Sequence, residues 1–315
     1  MKPRQRQQAM SRRAFLATAA AIAGAGPIVP LAAAAAEANT ALGLGRAIPS
    51  SGDRLPAVGL GTWITFNVGD DAAAQEQRTE VLRAFFADGG GMIDSSPMYG
   101  SSQAVIGRGL RRLGHPPGLF AADKVWTPFA GPAQIEQSRK LWGVPGFHLL
   151  QVHNLLAWET HLQTLKAMKA EGKLRYVGIT TSEGRRHDEF ERIMRREPLD
   201  FVQFSYNVLD REAEPRLLPL ARDRGMAVIA NRPFRQGALT AALERHPLPG
   251  WAAEIGCDSW AMALLKFILS HPSVTCAIPA TSRVDHVREN MAAARGPLPD
   301  DALRARMIAD VERLA

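Results

Sequence analysis

MIDSSPMYGSSQAVIGRGLRRLGHPPGLFAADK, residues 92–124, is the stretch on which the fold turns. Its two apolar runs, Met92-Ile93 and Phe120-Ala121-Ala122, each lead into ionisable residues, Asp94 in the first and Asp123-Lys124 in the second. Short apolar runs with polar ends, separated by about thirty residues, are the pattern of parallel strands joined by helical crossovers. Working outward, further runs end near Gly61, His153, Thr180, Phe204, Ala230 and Ile278. With Asp94 and Lys124 these make eight strand ends, 24 to 33 residues apart except for the last gap of 48. The intervening segments Glu80 to Ala87, Thr160 to Ala170 and Ala213 to Arg224 carry apolar residues three and four apart, so they can cover the outside of a sheet. The pattern predicts an α/β chain folded as a (β/α)8 TIM barrel, one domain over residues 55–315.

The main rival, a doubly wound nucleotide-binding sheet, announces itself with G-x-G-x-x-G after its first strand. Here Gly59-Leu60-Gly61 runs into Thr62-Trp63, and Gly107-Arg108-Gly109 has Arg112 where the third glycine belongs. The long last gap holds Pro233, Gly237, Pro247, Pro249 and Gly250 ahead of an apolar helix from Ser259 to Leu269, which predicts a long active-site loop.

At 46% hydrophobic and 22% charged residues, the chain has the balance of a globular protein. Its net charge of +7 resides mostly in Lys2, Arg4, Arg6, Arg12 and Arg13; without them +2 remains. A nearly neutral body offers no broad basic face, so a nucleic-acid partner is disfavoured and a small-molecule partner expected. Residues 1–36 read as an address. Ser11-Arg12-Arg13-Ala14-Phe15-Leu16 precedes an alanine-rich run to Ala36, interrupted by Gly24, Gly26, Pro27 and Pro30, which suits a twin-arginine export signal better than a spanning helix. That reading places cleavage near Ala36, the mature protein in a bacterial periplasm, the export machinery among its partners and residues 37–54 as a linker or N-terminal segment. Cys257 and Cys276 read as ordinary buried thiols. A monomer is the default.

Chemistry on such a barrel gathers at the C-terminal strand ends. Asp94, Tyr99 five residues later, Lys124 and His153 put a carboxylate, a phenol, an ammonium and an imidazole on three consecutive strands. Each alone has a plainer role open to it: a helix cap, a packed ring, a surface charge, a core histidine. Together they make a device for protonating a carbonyl oxygen. A phenol with an ordinary pKa near 10 becomes a useful acid when a neighbouring ammonium favours its phenolate, a carboxylate holds that ammonium, and a histidine orients the reacting oxygen. Reduction then requires a hydride from a bound nicotinamide. Two other readings stay open at this point: a nucleotide-binding regulatory barrel, and a lyase using Lys124 as a Schiff-base amine.

With those residues in place, the chain resembles the aldo-keto reductases over roughly residues 55–294. The resemblance rests on Gly59-Leu60-Gly61-Thr62-Trp63, Asp94 through Gly100, Lys124-Val125-Trp126, His153-Asn154, Gly178-Ile179-Thr180-Thr181, Gln203, and Ile278-Pro279 through Glu289-Asn290. It implies a barrel oxidoreductase using NADPH or NADH, with Tyr99 as general acid, Lys124 and Asp94 tuning it, and His153 positioning an aldehyde or ketone. It implies that Gly61, Thr62, Trp63 and Asp94 line the coenzyme site. Thr180, Thr181 and Gln203 would surround the nicotinamide amide, and Pro279, Ala280, Thr281, Arg283, His286, Glu289 and Asn290 the adenosine end.

The sequence departs from the family pattern in two places. Ala230-Asn231-Arg232-Pro233-Phe234 offers Asn231 where an aromatic often stacks, leaving Phe234 to compensate and Arg232 to meet the pyrophosphate. Ala280 stands where NADPH-preferring members often have lysine, and His286 where arginine is common, so the 2′-phosphate falls to Arg283, with NADPH expected and NADH possible. Trp63, Phe66, Met98 and Trp126 are expected to line an apolar pocket for an uncharged carbonyl substrate. No metal is expected.

Overall fold

The computed structural model describes residues 43–315. Eight parallel strands run β3 (Leu60–Gly61), β4 (Met92–Asp94), β5 (Phe120–Val125), β6 (Leu149–Val152), β7 (Tyr176–Thr180), β8 (Phe201–Ser205), β9 (Ala227–Asn231) and β10 (Cys276–Ala277), each paired with the next in order. The sheet closes on itself at the first and last strands. Val58 bridges to Ala277 and Gly61 to Ala280, and Gly61 donates its N–H to the Pro279 carbonyl at 3.0 Å. The strand ends expected at Gly61, Asp94, Lys124, His153, Thr180, Phe204, Ala230 and Ile278 fall within one residue of those observed.

Side chains alternate across each strand, and the alternation sorts the core into two layers. Met92, Ala122, Leu149, Tyr176, Phe201, Ala227, Ile229, Cys276 and Ile278 point inward and pack together in the barrel. The opposite set, including Ile93, Ala121, Leu150, Val177, Val202 and Val228, meets the helices outside. A hairpin ahead of the barrel, β1 (Gly45–Ala47) and β2 (Arg54–Pro56), contributes Ile48 and Leu55 to the interior cluster. The stretch ahead of residue 55 is therefore folded from β1 onward, and its hairpin helps fill the barrel.

Gly61 shows why the seam needs a glycine: a Cβ there would lie 2.7 Å from the Ile278 carbonyl oxygen. The long last gap is not a bare loop. It holds short helices at Ala238–Leu243 and Trp251–Glu254 before the apolar helix Trp260–Ser270, whose Ser259 side chain caps the Met262 N–H. Cys257 and Cys276 are buried and free, and burial pushes the Cys257 thiol up to about 11, which keeps it unreactive at neutral pH. Among the described residues no helix is long and apolar enough to cross a membrane. The proposed leader, residues 1–36, lies outside the described residues.

Candidate active site

The strand ends carry a polar layer directly above the apolar filling. Asp94 ends β4, and its carboxylate takes an ion pair from the Lys124 ammonium, which reaches across from β5. Lys124 also donates to the Ser95 carbonyl at 2.8 Å. The other Asp94 oxygen accepts from Gln203 at 3.0 Å and from Gln151 at 3.3 Å. Both members of the pair are buried, so the low dielectric that penalises each charge also strengthens their attraction. For Lys124, burial favours the neutral amine, but Asp94 and the other acidic groups around it outweigh that, and the net pKa moves up. The lysine stays charged.

Tyr99 leans over this pair, with the Lys124 Nζ 5.2 Å from its ring centroid. Its ring meets His153 edge-on at 5.6 Å and Trp63 at 6.4 Å. The sequence reading expects Lys124 to pull the phenol's pKa down. In the structure burial is the larger effect, and the net direction is up, with Lys124 opposing it. Tyr99 therefore keeps its proton.

Burial, reinforced by Lys124, drives His153 well below its ordinary range, so its imidazole is neutral. Its Nδ1 lies 2.8 Å from Ser96 Oγ, which already accepts the Met98 N–H at 3.2 Å. Among the described residues Nδ1 is the one acceptor within reach of the serine's own hydrogen, so the network directs that hydrogen to Nδ1 and assigns the imidazole proton to Nε2.

A cavity of about 390 Å³ opens onto Asp94, Tyr99 and His153. Lys124 is absent from its lining, so it acts through Tyr99 and is closed to any ligand. A Schiff-base role would need a neutral, accessible amine, and Lys124 is neither. The same cavity runs past Thr180, Thr181, Gln203, Asn231, Arg232, Pro233 and Phe234 to Ala280, Thr281, His286, Glu289 and Asn290. Its lining also includes Gly61, Thr62, Trp63 and Met98. One continuous cavity thus joins a proton-donating end to a distant polar end, within the usual size range for ligand sites, and this arrangement fits a dinucleotide.

Several expected contacts differ. Phe66 is fully buried in the layer under the helices and lines no cavity, because its ring turns toward the core. Trp126 lies outside the cavity lining and is 40% exposed, its backbone held by Gln134 at 2.7 Å on both sides. Arg283 precedes the helix Val284–Ala292, is exposed, and is engaged with Asp285, so the structure does not bring it into the cavity. Pro279 serves the seam instead of the lining.

Asn231 lines the cavity but spends its amide on the Thr181 carbonyl at 2.9 Å and its oxygen on Ser205 at 2.8 Å, fastening three strand ends together. Arg232 lines the cavity while paired with Glu183 at 2.9 Å. Sequence reasoning missed Gln151, Glu183, Arg185, Thr240 and Glu244. Gln151 alone carried a signal, since it shares the inward parity of Leu149 and His153 along its strand.

A closed parallel barrel with a buried carboxylate–ammonium pair behind a protonated phenol is the architecture of a barrel oxidoreductase acting on a carbonyl. The chain matches the model of the Aldo/keto reductase family over residues 57–307, and it belongs to that family. It is 29% identical to Methylglyoxal reductase YeaE of Escherichia coli (strain K12), across 78% of this chain and 88% of that protein. It is 25% identical to the NADH-specific methylglyoxal reductase of the same organism, across 81% of this chain and 95% of that protein. A solved aldo/keto reductase from Klebsiella pneumoniae, in complex with NADP and acetate, matches with a TM-score of 0.69 at 27% identity, covering 84% of this chain and 92% of that one.

Proposed function

We propose that this chain reduces an uncharged aldehyde or ketone to the alcohol with NADPH, or with NADH in second place. The observation that carries the reading is the opening of Tyr99 and His153 onto the cavity whose far end reaches Glu289 and Asn290. Thr180, Thr181 and Gln203 would hold the nicotinamide end, and Thr281, His286, Glu289 and Asn290 the adenosine end; a reduced nicotinamide, when bound, supplies the hydride that the carbonyl carbon accepts.

The protein's own part is proton management. His153, neutral with its proton on Nε2, donates a hydrogen bond to the carbonyl oxygen without competing as an acid. Tyr99 gives its phenolic proton to that oxygen as negative charge develops there, and the Lys124 ammonium stabilises the phenolate left behind. Asp94 keeps Lys124 charged and in place throughout. The phenolate regains its proton from solvent before the next turnover.

The test is a titration of the purified full chain with NADPH and NADH, followed by tryptophan fluorescence, and then turnover of a panel of aldehydes. Tyr99→Phe is expected to bind coenzyme as the wild type does and to lose about a thousandfold in kcat/KM, the scale of a general acid. Turnover that survives this change would remove the reading.

We also propose that residues 1–36 act as a twin-arginine export signal that delivers the folded enzyme to the periplasm. Support comes from Arg12-Arg13 ahead of the alanine-rich run to Ala36. Replacing both arginines with lysine is expected to retain the chain in the cytoplasmic fraction; unchanged fractionation would count against it.

A further inference from the structure

The stretch Asp94-Ser95-Ser96-Pro97-Met98-Tyr99 carries a buried hydroxyl whose part in the reaction is still to be placed, that of Ser96. Ser96 has no exposed surface and is absent from the cavity lining, so it touches neither a carbonyl nor a coenzyme. Its bonds nevertheless reach both residues that would meet the carbonyl oxygen. Its backbone oxygen accepts the Tyr99 N–H at 3.0 Å and its Oγ accepts the Met98 N–H at 3.2 Å, closing the turn that presents the phenol. The same Oγ lies 2.8 Å from His153 Nδ1.

Ser96 follows β4 and His153 follows β6, so this bond crosses the end of β5, the strand that carries Lys124. Among the described residues it is the one hydrogen bond between the loop after β4 and the loop after β6. Tyr99 and His153 touch only through their rings, edge-on at 5.6 Å. Neutral imidazole holds one proton, and the bond made by one nitrogen decides which of the two carries it. With the serine hydrogen on Nδ1, the proton resides on Nε2, which has no partner among the described residues and is not sealed from the cavity that His153 lines.

We propose that Ser96 is a positioning residue that locks His153 in the tautomer with its proton on Nε2 and ties that imidazole to the turn carrying Tyr99. The proposal rests on the carbonyl-reductase reading and adds the residue through which its two oxygen-contacting groups act as one unit. With the proton on Nε2, His153 offers a donor to the carbonyl oxygen. With the proton on Nδ1, it would turn a lone pair on the same oxygen and repel it. Removing the serine hydroxyl leaves neither tautomer held by a partner, so a share of the molecules then meets the substrate with the wrong nitrogen.

The experiment is nitrogen NMR of the full chain, isotope-labelled at histidine and free of coenzyme, in the wild type, Ser96→Ala and Ser96→Thr, with His153→Gln to identify the His153 signals. At about pH 8 the imidazole is neutral, and the wild type is expected to show a protonated Nε2 well separated from an unprotonated Nδ1. In Ser96→Ala the two signals are expected to move toward each other as the tautomers exchange. In parallel, kcat/KM for propanal is expected to fall about tenfold in Ser96→Ala, the worth of one hydrogen bond, with coenzyme affinity unchanged. Ser96→Thr keeps the hydroxyl and is expected to restore both readouts. A merely structural loss would lower the melting temperature and the coenzyme affinity while leaving the two nitrogens apart. A wild-type proton on Nδ1, signals that stay apart in Ser96→Ala, or an unchanged kcat/KM overturns the proposal. The spectra need no turnover, so the two failures are distinct: a chain that reduces no aldehyde with either coenzyme removes the reductase reading, whereas a missing lock shows in the spectra alone.

Discussion

Asp123 sits one residue before Lys124 and therefore points the opposite way, out of the barrel and under the helices. It has no exposed surface, and among the described residues it forms no ion pair. One carboxyl oxygen accepts the Lys124 N–H at 2.8 Å, and the other accepts from Gln103 at 2.7 Å, whose amide also reaches Ser138 at 2.9 Å. Burial pushes Asp123 up to about 7 despite these donors. The sign follows from linkage. Between about pH 4 and 7 the folded chain keeps a proton that the unfolded chain has lost, so this group's contribution to stability falls as pH rises through that window and stays lost above it.

At 1.36 kcal/mol per pH unit the whole penalty is about 4 kcal/mol, of which about 3 kcal/mol accrues between pH 5 and 8. Asp123→Asn removes the ionisation and keeps an oxygen for the Lys124 N–H; Gln103 then has to turn its amide to face the new donor. Urea unfolding at pH 5 and pH 8 is expected to show the variant gaining on the wild type by about 3 kcal/mol between the two. Taking the variant-minus-wild-type difference cancels the other titrating groups. A difference that does not change with pH refutes the argument.

Asp94→Ala leaves Lys124 charged and unpaired in the interior, so a loss of about 3 to 5 kcal/mol in unfolding free energy is expected; a loss within 1 kcal/mol would mean that water reaches the lysine. Gly61→Ala forces the seam against the Ile278 carbonyl and is expected to cost about 2 kcal/mol and to weaken coenzyme binding, read by melting temperature and fluorescence titration. His153 has a depressed pKa and is neutral in the folded chain, so its stabilising contribution rises with pH from its folded value up to its ordinary value near 6.5 and is complete above that. The kcat/KM profile is accordingly expected to carry no His153 limb between pH 6.5 and 8, and a limb there that disappears in His153→Gln would contradict the assignment.

The strand ends were legible because each apolar run stops where its backbone reaches the catalytic face, and burial on both sides of a parallel strand keeps the run uninterrupted until that point. The four proton-handling residues were legible for the same reason, since their order along the chain becomes adjacency in a sheet whose strands pair consecutively. What failed was direction within loops. Phe66 and Trp126 lie close in sequence to Trp63 and Lys124, yet one turns into the core and the other outward, a choice made by packing that no periodicity records. Arg283 lies three residues from Ala280 along the chain, but Asp285 two residues on holds it at the surface. The hairpin before the barrel escaped because its strands are three residues each, too short to show an alternation.

The direction of the Tyr99 shift ties the site together. An acid whose pKa had already fallen to neutrality would spend much of its time as phenolate, with no proton to give. Burial keeps Tyr99 protonated, while Lys124, lying behind it and outside the cavity, has its largest effect once the proton has left and a negative oxygen remains. The Lys124–Asp94 pair therefore stabilises the state reached after transfer more than the state before it, which is the differential binding that accelerates a step. The arrangement needs the ammonium to stay charged in a fully buried position, and Asp94, with Gln151 and Gln203 steadying its second oxygen, supplies that condition. Gln151 and Gln203 thus belong to the acid's machinery through Asp94, at one remove from the reacting oxygen.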